Sequence, residues 1–287
     1  MSTIMVDFTN VIDLENADFL THLNYVEYLS TLSEGLKLSC ERDIKTQMTK
    51  CSKISKKIKL IDLTMRSIEM ERDIIKDDDE YASVCVSWMP VKSYYAIYNM
   101  MLLLIFMMSK NENDLSRGHM PTINFIKSQL KTGELVFSKS EFNKVFEGVA
   151  IDSWRIPKWE NLKIKSDYRI EQVIRKLFDY AKQQYKTQRR IKRLSKKDGR
   201  DFMVNTNISL FEFFYWYRIK ANYRDLEFIG KGISNKQFKN FYMSYLKYLS
   251  NMYNALKDCA NNMSEIRFGE KLIDNQRMSS SEKDMLK

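Results

Sequence analysis

A guanidinium, an amide and a carboxylate are set along one stripe of the most aromatic stretch of this sequence, Ile208 to Ile229 (ISLFEFFYWYRIKANYRDLEFI). Arg218, Asn222 and Asp225 stand at i, i+4 and i+7, so on a helix they share one face, which continues N-terminally through Phe211 and Phe214. Tyr223 lies to the side of that stripe, within reach of a second copy of the helix. Charged groups on so apolar a helix must be paired or used. One reading is an internal Arg218–Asp225 pair or capping network. The other is a phosphate site in which Arg218 neutralises the scissile group while Asn222 and Tyr223 orient it.

A second feature lies just upstream. Lys182, Lys186, Arg189, Arg190, Lys192, Arg193, Lys196, Lys197 and Arg200 are nine bases against Asp198 alone, a charge of +8 in nineteen residues. The whole chain carries 47 Lys plus Arg against 37 Asp plus Glu, a net +10, so nearly all of the excess is local. Clustered Lys and Arg bind nucleic acid through its phosphates by releasing condensed counterions, without base contacts. The alternative is a solvated helix end whose bases complement the negative end of the dipole.

What is missing narrows the chemistry. There are two histidines, His22 and His119, so a relay or metal site rich in imidazole has little to draw on. Cys40, Cys51, Cys85 and Cys259 stand far apart, with no CxxC pair, and read as reduced thiols. No phosphate-binding loop, dinucleotide fingerprint, zincin motif or nucleophile elbow occurs. Neither a metal nor a cofactor is implied.

The elements that must position these groups are helices. With 8 Gly and 3 Pro in 287 residues, the chain lacks the punctuation of sandwiches, barrels and doubly wound sheets, and the expected class is all-α. Phe19, Leu20, Leu23, Val26 and Leu29 follow a helical period, as do Ile54, Ile58, Ile61, Met65 and Ile68. The run Lys76 to Glu80 (KDDDE) reads as a polar break. Tyr94 to Met108 (YYAIYNMMLLLIFMM) is apolar over about 15 residues where a membrane span needs roughly 20, and reads as a core helix, not a membrane segment. A polar loop, SKNENDLSRGH, follows it and ends at Gly118 and His119. A further helix runs from Ile123 to Leu130, and Asp152 to Lys165 reads as an irregular connection. One long amphipathic helix opens near Ser166 and carries the basic strip in its C-terminal half, and a final helix runs from Phe238 to Leu256. Beyond Cys259 the pattern fades into a polar, flexible tail. No secretory signal opens the sequence, and a cytoplasmic location is expected.

The segments SWMPVKSYYAIYNMMLLLIF, RGHMPTINFI and FFYWYRIKANYRDLEFI together resemble a HEPN (higher eukaryotes and prokaryotes nucleotide-binding) domain over roughly residues 81–258. The resemblance implies an HEPN-like helical bundle that dimerises, preceded by an N-terminal helical extension (1–80) and followed by the tail (259–287). It also implies a metal-independent endoribonuclease, or an effector derived from one, in a prokaryotic antiviral defence or toxin–antitoxin system. The partners would be RNA or another nucleic acid, a second copy of the chain, and an antitoxin or defence-complex protein. In that family an Arg is followed four to six residues later by His, and two motif helices build one composite site. Here Arg218 matches the Arg, and Tyr223 stands where the His would be. Tyrosine, with an ordinary pKa near 10, is a poor general base at neutral pH, and His119 could substitute if its segment approached Arg218. The other reading is a non-catalytic nucleic-acid-binding or assembly subunit on the same fold.

Overall fold

The structure is a computed structural model that describes residues 19, 22–44, 51–147, 149–150, 177–179, 181–205, 207–223 and 233–273. The chain is all-α, built around one apolar helix. That helix, α4 (Met89–Ser109), starts with Pro90 in its first turn, where the missing N–H would have no partner anyway, and buries every side chain from Met100 to Met108. A helix apolar all round must be covered on all sides. Around it pack α2 (Ser52–Asp77), α5 (His119–Lys131), α9 (Glu212–Tyr223) and α10 (Asn235–Phe268). The sequence predicts a buried core helix here, and α4 is one.

Local chemistry sets the boundaries. Asp78 ends α2 and opens α3 (Asp79–Cys85) by accepting from the amides of Glu80 and Tyr81, so the acidic run is a helix cap. After α4 the chain turns at Lys110 (φ 62°), and the expected polar loop contains a 3-10 turn, Glu112–Ser116, capped by the Asn111 side chain. Ser234 and Gln237 form a reciprocal capping box at the start of α10. This helix does not stop near Cys259. It runs to Phe268 and ends at Gly269 in the left-handed conformation, with Cys259, Ala260, Met263 and Arg267 buried. Asn261 exchanges two backbone hydrogen bonds with Ile273, folding the following residues back onto the helix.

Helix α1 (22–32) places Leu23, Val26 and Leu29 in the same core as α2, α4, α9 and α10. Its His22 is buried and hydrogen-bonds the Tyr217 hydroxyl on α9. Two short antiparallel ribbons staple the connections. Strand β1 (Leu38–Cys40) pairs with β2 (Leu135–Phe137), and β3 (Val149–Ala150), which follows α6 (Ser140–Glu147), pairs with β4 (Asn207–Ile208). All four cysteines are free thiols, and burial pushes that of Cys259 up to about 12.

Two expected helices are divided differently. The basic strip does not lie on one helix. Helix α7 (181–188) ends where Arg190 takes the left-handed conformation (φ 55°), and the chain resumes as α8 (Lys196–Asn205). The aromatic segment begins as strand β4, and α9 proper starts at Glu212. The expected connection from Asp152 to Lys165 and the opening near Ser166 lie outside the described residues.

Candidate functional site

The orientation of α9 is fixed at its first turn. Ser209 and Glu212 have the spacing of a capping box, and the Glu212 carboxylate accepts from the Ser209 amide (3.2 Å), from Lys127 Nζ on α5 (3.2 Å) and from Trp216 Nε1 (3.2 Å). Phe211, Phe213 and Phe214 then turn into the core, where Phe213 stacks on Tyr217 at 4.0 Å and Phe214 on Tyr248 at 5.0 Å. These anchors leave Arg218 facing the N-terminal half of α4.

Arg218 is 9% exposed. Its guanidinium carbon lies 4.8 Å from the ring centre of Tyr94, 5.5 Å from Tyr215 and 5.8 Å from Tyr95, and Nη1 donates to the Tyr95 hydroxyl at 3.2 Å. Its Nε is buried with no hydrogen-bond partner. Among the described residues no carboxylate pairs with Arg218. Three ring faces contribute about 0.5–2 kcal/mol each to holding a cation, whereas a buried unpaired charge costs several. Among the described residues, the cage therefore supplies aromatic faces and a hydroxyl but no negative charge.

His119 completes the cluster. It is the first residue of α5, set by Gly118 as N-cap, and its Nδ1 lies 2.5 Å from the Tyr94 hydroxyl. The imidazole sits against Tyr98 at 4.6 Å and Tyr215 at 6.3 Å between centroids. Burial, and secondarily the charge of Arg218, lower its pKa, so the ring is neutral at pH 7. Burial pushes the Tyr94 phenol far above its ordinary range, against the pull of Arg218, and raises Tyr98 and Tyr215 as well. These phenols remain protonated and can donate. In the tautomer that gives its Nδ1 proton to Tyr94, His119 carries a lone pair on Nε2 and can accept a proton.

The structure thus brings Arg218 and His119 onto the same three rings, Tyr94, Tyr95 and Tyr215. Asn222 and Tyr223 belong to the backbone of α9, but their side chains lie outside the described residues, as does all of Asp225. The sequence reading missed Tyr94, Tyr95, Tyr98 and Tyr215. Their signal was the spacing of the first three, i, i+1 and i+4, which groups hydroxyls at one end of an otherwise aliphatic helix.

The basic strip forms a helix–turn–helix edge. Lys182 and Lys186 on α7 are half-buried, while Arg189, Arg190, Lys192, Arg193, Lys196, Lys197 and Arg200 are exposed. Arg189 lies over the Tyr185 ring at 4.7 Å and meets Asp198 at 3.6 Å. Asp198 also accepts from Ser195 Oγ (2.6 Å), and that bond, helped by Arg189 and Lys197, holds its carboxyl below the usual range. Among the described residues no cluster of three His, Cys, Asp or Glu side chains could hold a metal ion.

Comparison with known proteins returned no match to a protein-family model, a curated protein or a solved structure. The fold and the site therefore define a class, an all-α protein with an arginine–histidine–tyrosine cluster, on physical grounds alone.

Proposed function

We propose that this protein is an HEPN-like, RNA-engaging protein in which Arg218 and His119 form a metal-independent endoribonuclease site, serving a prokaryotic antiviral defence or toxin–antitoxin system. The observation that carries the reading is a buried guanidinium with an unpartnered Nε sharing its tyrosine rings with His119, whose pKa burial lowers. A phosphodiester supplies a negative charge. His119 Nε2 takes the proton of the 2′-hydroxyl, the 2′-oxygen bonds to phosphorus, and the bond to the 5′-oxygen breaks. The leaving oxygen takes a proton from water, giving a 2′,3′-cyclic phosphate and a 5′-hydroxyl. Arg218 and the Tyr95 hydroxyl stabilise the charge that accumulates on the phosphoryl oxygens. Purified protein should cleave RNA in excess chelator, and Arg218→Ala and His119→Ala should each slow cleavage about 100- to 1000-fold with unchanged circular dichroism. Intact RNA under these conditions, also with a co-purified partner present, would sink the catalytic reading.

The same proposal includes a homodimer. On α2, Leu60, Leu63, Met70 and Ile74 form an exposed apolar stripe, 46–68% exposed. The N-terminal half of α2 carries four lysines against Asp62 and its C-terminal half four acids against three bases, so antiparallel packing of two copies sets each lysine-rich half against the more acidic one. Leu63→Glu with Met70→Glu should halve the mass in solution.

The burial of Arg218 beneath Tyr94 and Tyr215 favours a second reading, a nucleic-acid-binding or assembly subunit in which the cluster is architecture. RNA affinity indifferent to Arg218→Ala but lost on reversing the charge of Arg190, Arg193 and Lys197 would select it.

A further inference from the structure

A cavity of about 510 Å³ opens between α5, α7, α8 and α9. Tyr215 belongs both to its wall and to the Arg218 cluster, and Met120, also on the wall, is the residue after His119. The cavity therefore adjoins the cluster through Tyr215. The volume lies in the range that takes one small organic ligand.

Its chemistry is selective. Tyr185, Tyr215 and Trp216 supply aromatic surface from two different helices. The exposed amides of Asn124 and Gln188 supply groups that both donate and accept. Tyr185 Oη is buried with no hydrogen-bond partner, although it lines an open cavity. The charged residues at the base, Lys127 and Glu212, neutralise each other at 3.2 Å, so the interior is polar without net charge. Arg189, held over Tyr185, and Asp201 add one charge of each sign to the lining. Aromatic faces, amide edges and a lining of balanced charge suit an uncharged planar heterocycle, with an adjoining phosphate accommodated by Arg218 outside it.

We infer that this cavity binds one nucleobase of an RNA strand whose adjoining phosphate occupies the Arg218–His119 cluster. The base is held by stacking and by hydrogen bonds to the amides, so the cavity rather than the cluster sets sequence preference. This assignment rests on the phosphate reading of the cluster, and the test separates the two. Calorimetric titrations of the full-length protein use three probes: inorganic phosphate, the four nucleosides, and the four nucleoside 3′-monophosphates. The expected result is that at least one nucleotide binds tenfold or more tightly than phosphate. Asn124→Trp, which fills the cavity from an exposed position on α5, and Gln188→Ala, also exposed, should each remove that advantage and leave the affinity for phosphate unchanged. Nucleosides that bind in a manner sensitive to Asn124→Trp, with phosphate failing to bind, would overturn the phosphate cluster and keep the cavity. Nucleotides no tighter than phosphate, or an advantage that survives both variants, would overturn the cavity and keep the cluster.

Discussion

At the scale of single residues, the behaviour of the site depends on how tyrosine rings hold a cation, with no carboxylate partner among the described residues. Arg218 uses its flat faces against tyrosine rings and one N–H against the Tyr95 hydroxyl. Lysine has neither the plane nor the fork, so Arg218→Lys should lose nearly as much cleavage as Arg218→Ala, about 100- to 1000-fold in single-turnover rate. His119 gives a pH signature. Its pKa is lowered in the folded protein, so the unfolded chain binds the proton more readily in the window below the ordinary value of about 6.5. Its contribution to stability is complete above that window and is lost as pH falls through the folded pKa. Urea denaturation at descending pH should show this loss, and His119→Gln should flatten that part of the profile. Cleavage should fall over the same window, because the imidazolium has no lone pair to accept the 2′-proton.

Among the elements, α9 is the one whose placement decides the site, and its anchor is the Glu212 carboxylate. Glu212→Ala removes the buried carboxylate shared by Lys127 Nζ, Trp216 Nε1 and the Ser209 amide, and should cost about 3–5 kcal/mol in urea denaturation. Ser234→Ala, which removes only the cap of α10, should cost about 1 kcal/mol. The same elements show what a sequence can disclose. The apolar run of α4 was legible because its length and uniformity leave one physical solution, full burial within a bundle. The Ser–Glu spacing at Ser209 and Glu212 carried a start signal that the aromatic residues around it concealed. The break after α7 had no such signal, since the left-handed residue is Arg190 rather than a glycine or asparagine. Arg218 was legible as a charge out of place on an apolar helix. Its aromatic partners on α4, and its approach to His119, depend on the crossing of distant helices, which periodicity does not encode.

For the whole molecule, charge and apolarity are both concentrated. The excess of positive charge sits on the α7–α8 edge, so RNA affinity should fall steeply with salt in filter-binding or polarisation titrations. Reversing Arg190, Arg193 and Lys197 together should flatten the slope of log affinity against log salt by roughly three. The apolarity sits in α4, and its principal cover is α10, which is separated from it by much of the chain. On a ribosome adding about 5–20 residues per second, α4 emerges roughly 8–30 s before α10 is complete. During that interval a stretch of fifteen nearly uninterrupted apolar residues is exposed with its partner not yet synthesised. The nascent chain is thus a client for holding chaperones in a way the finished protein is not, and a chain terminated before Asn235 should collect in the insoluble fraction however well its first helices form.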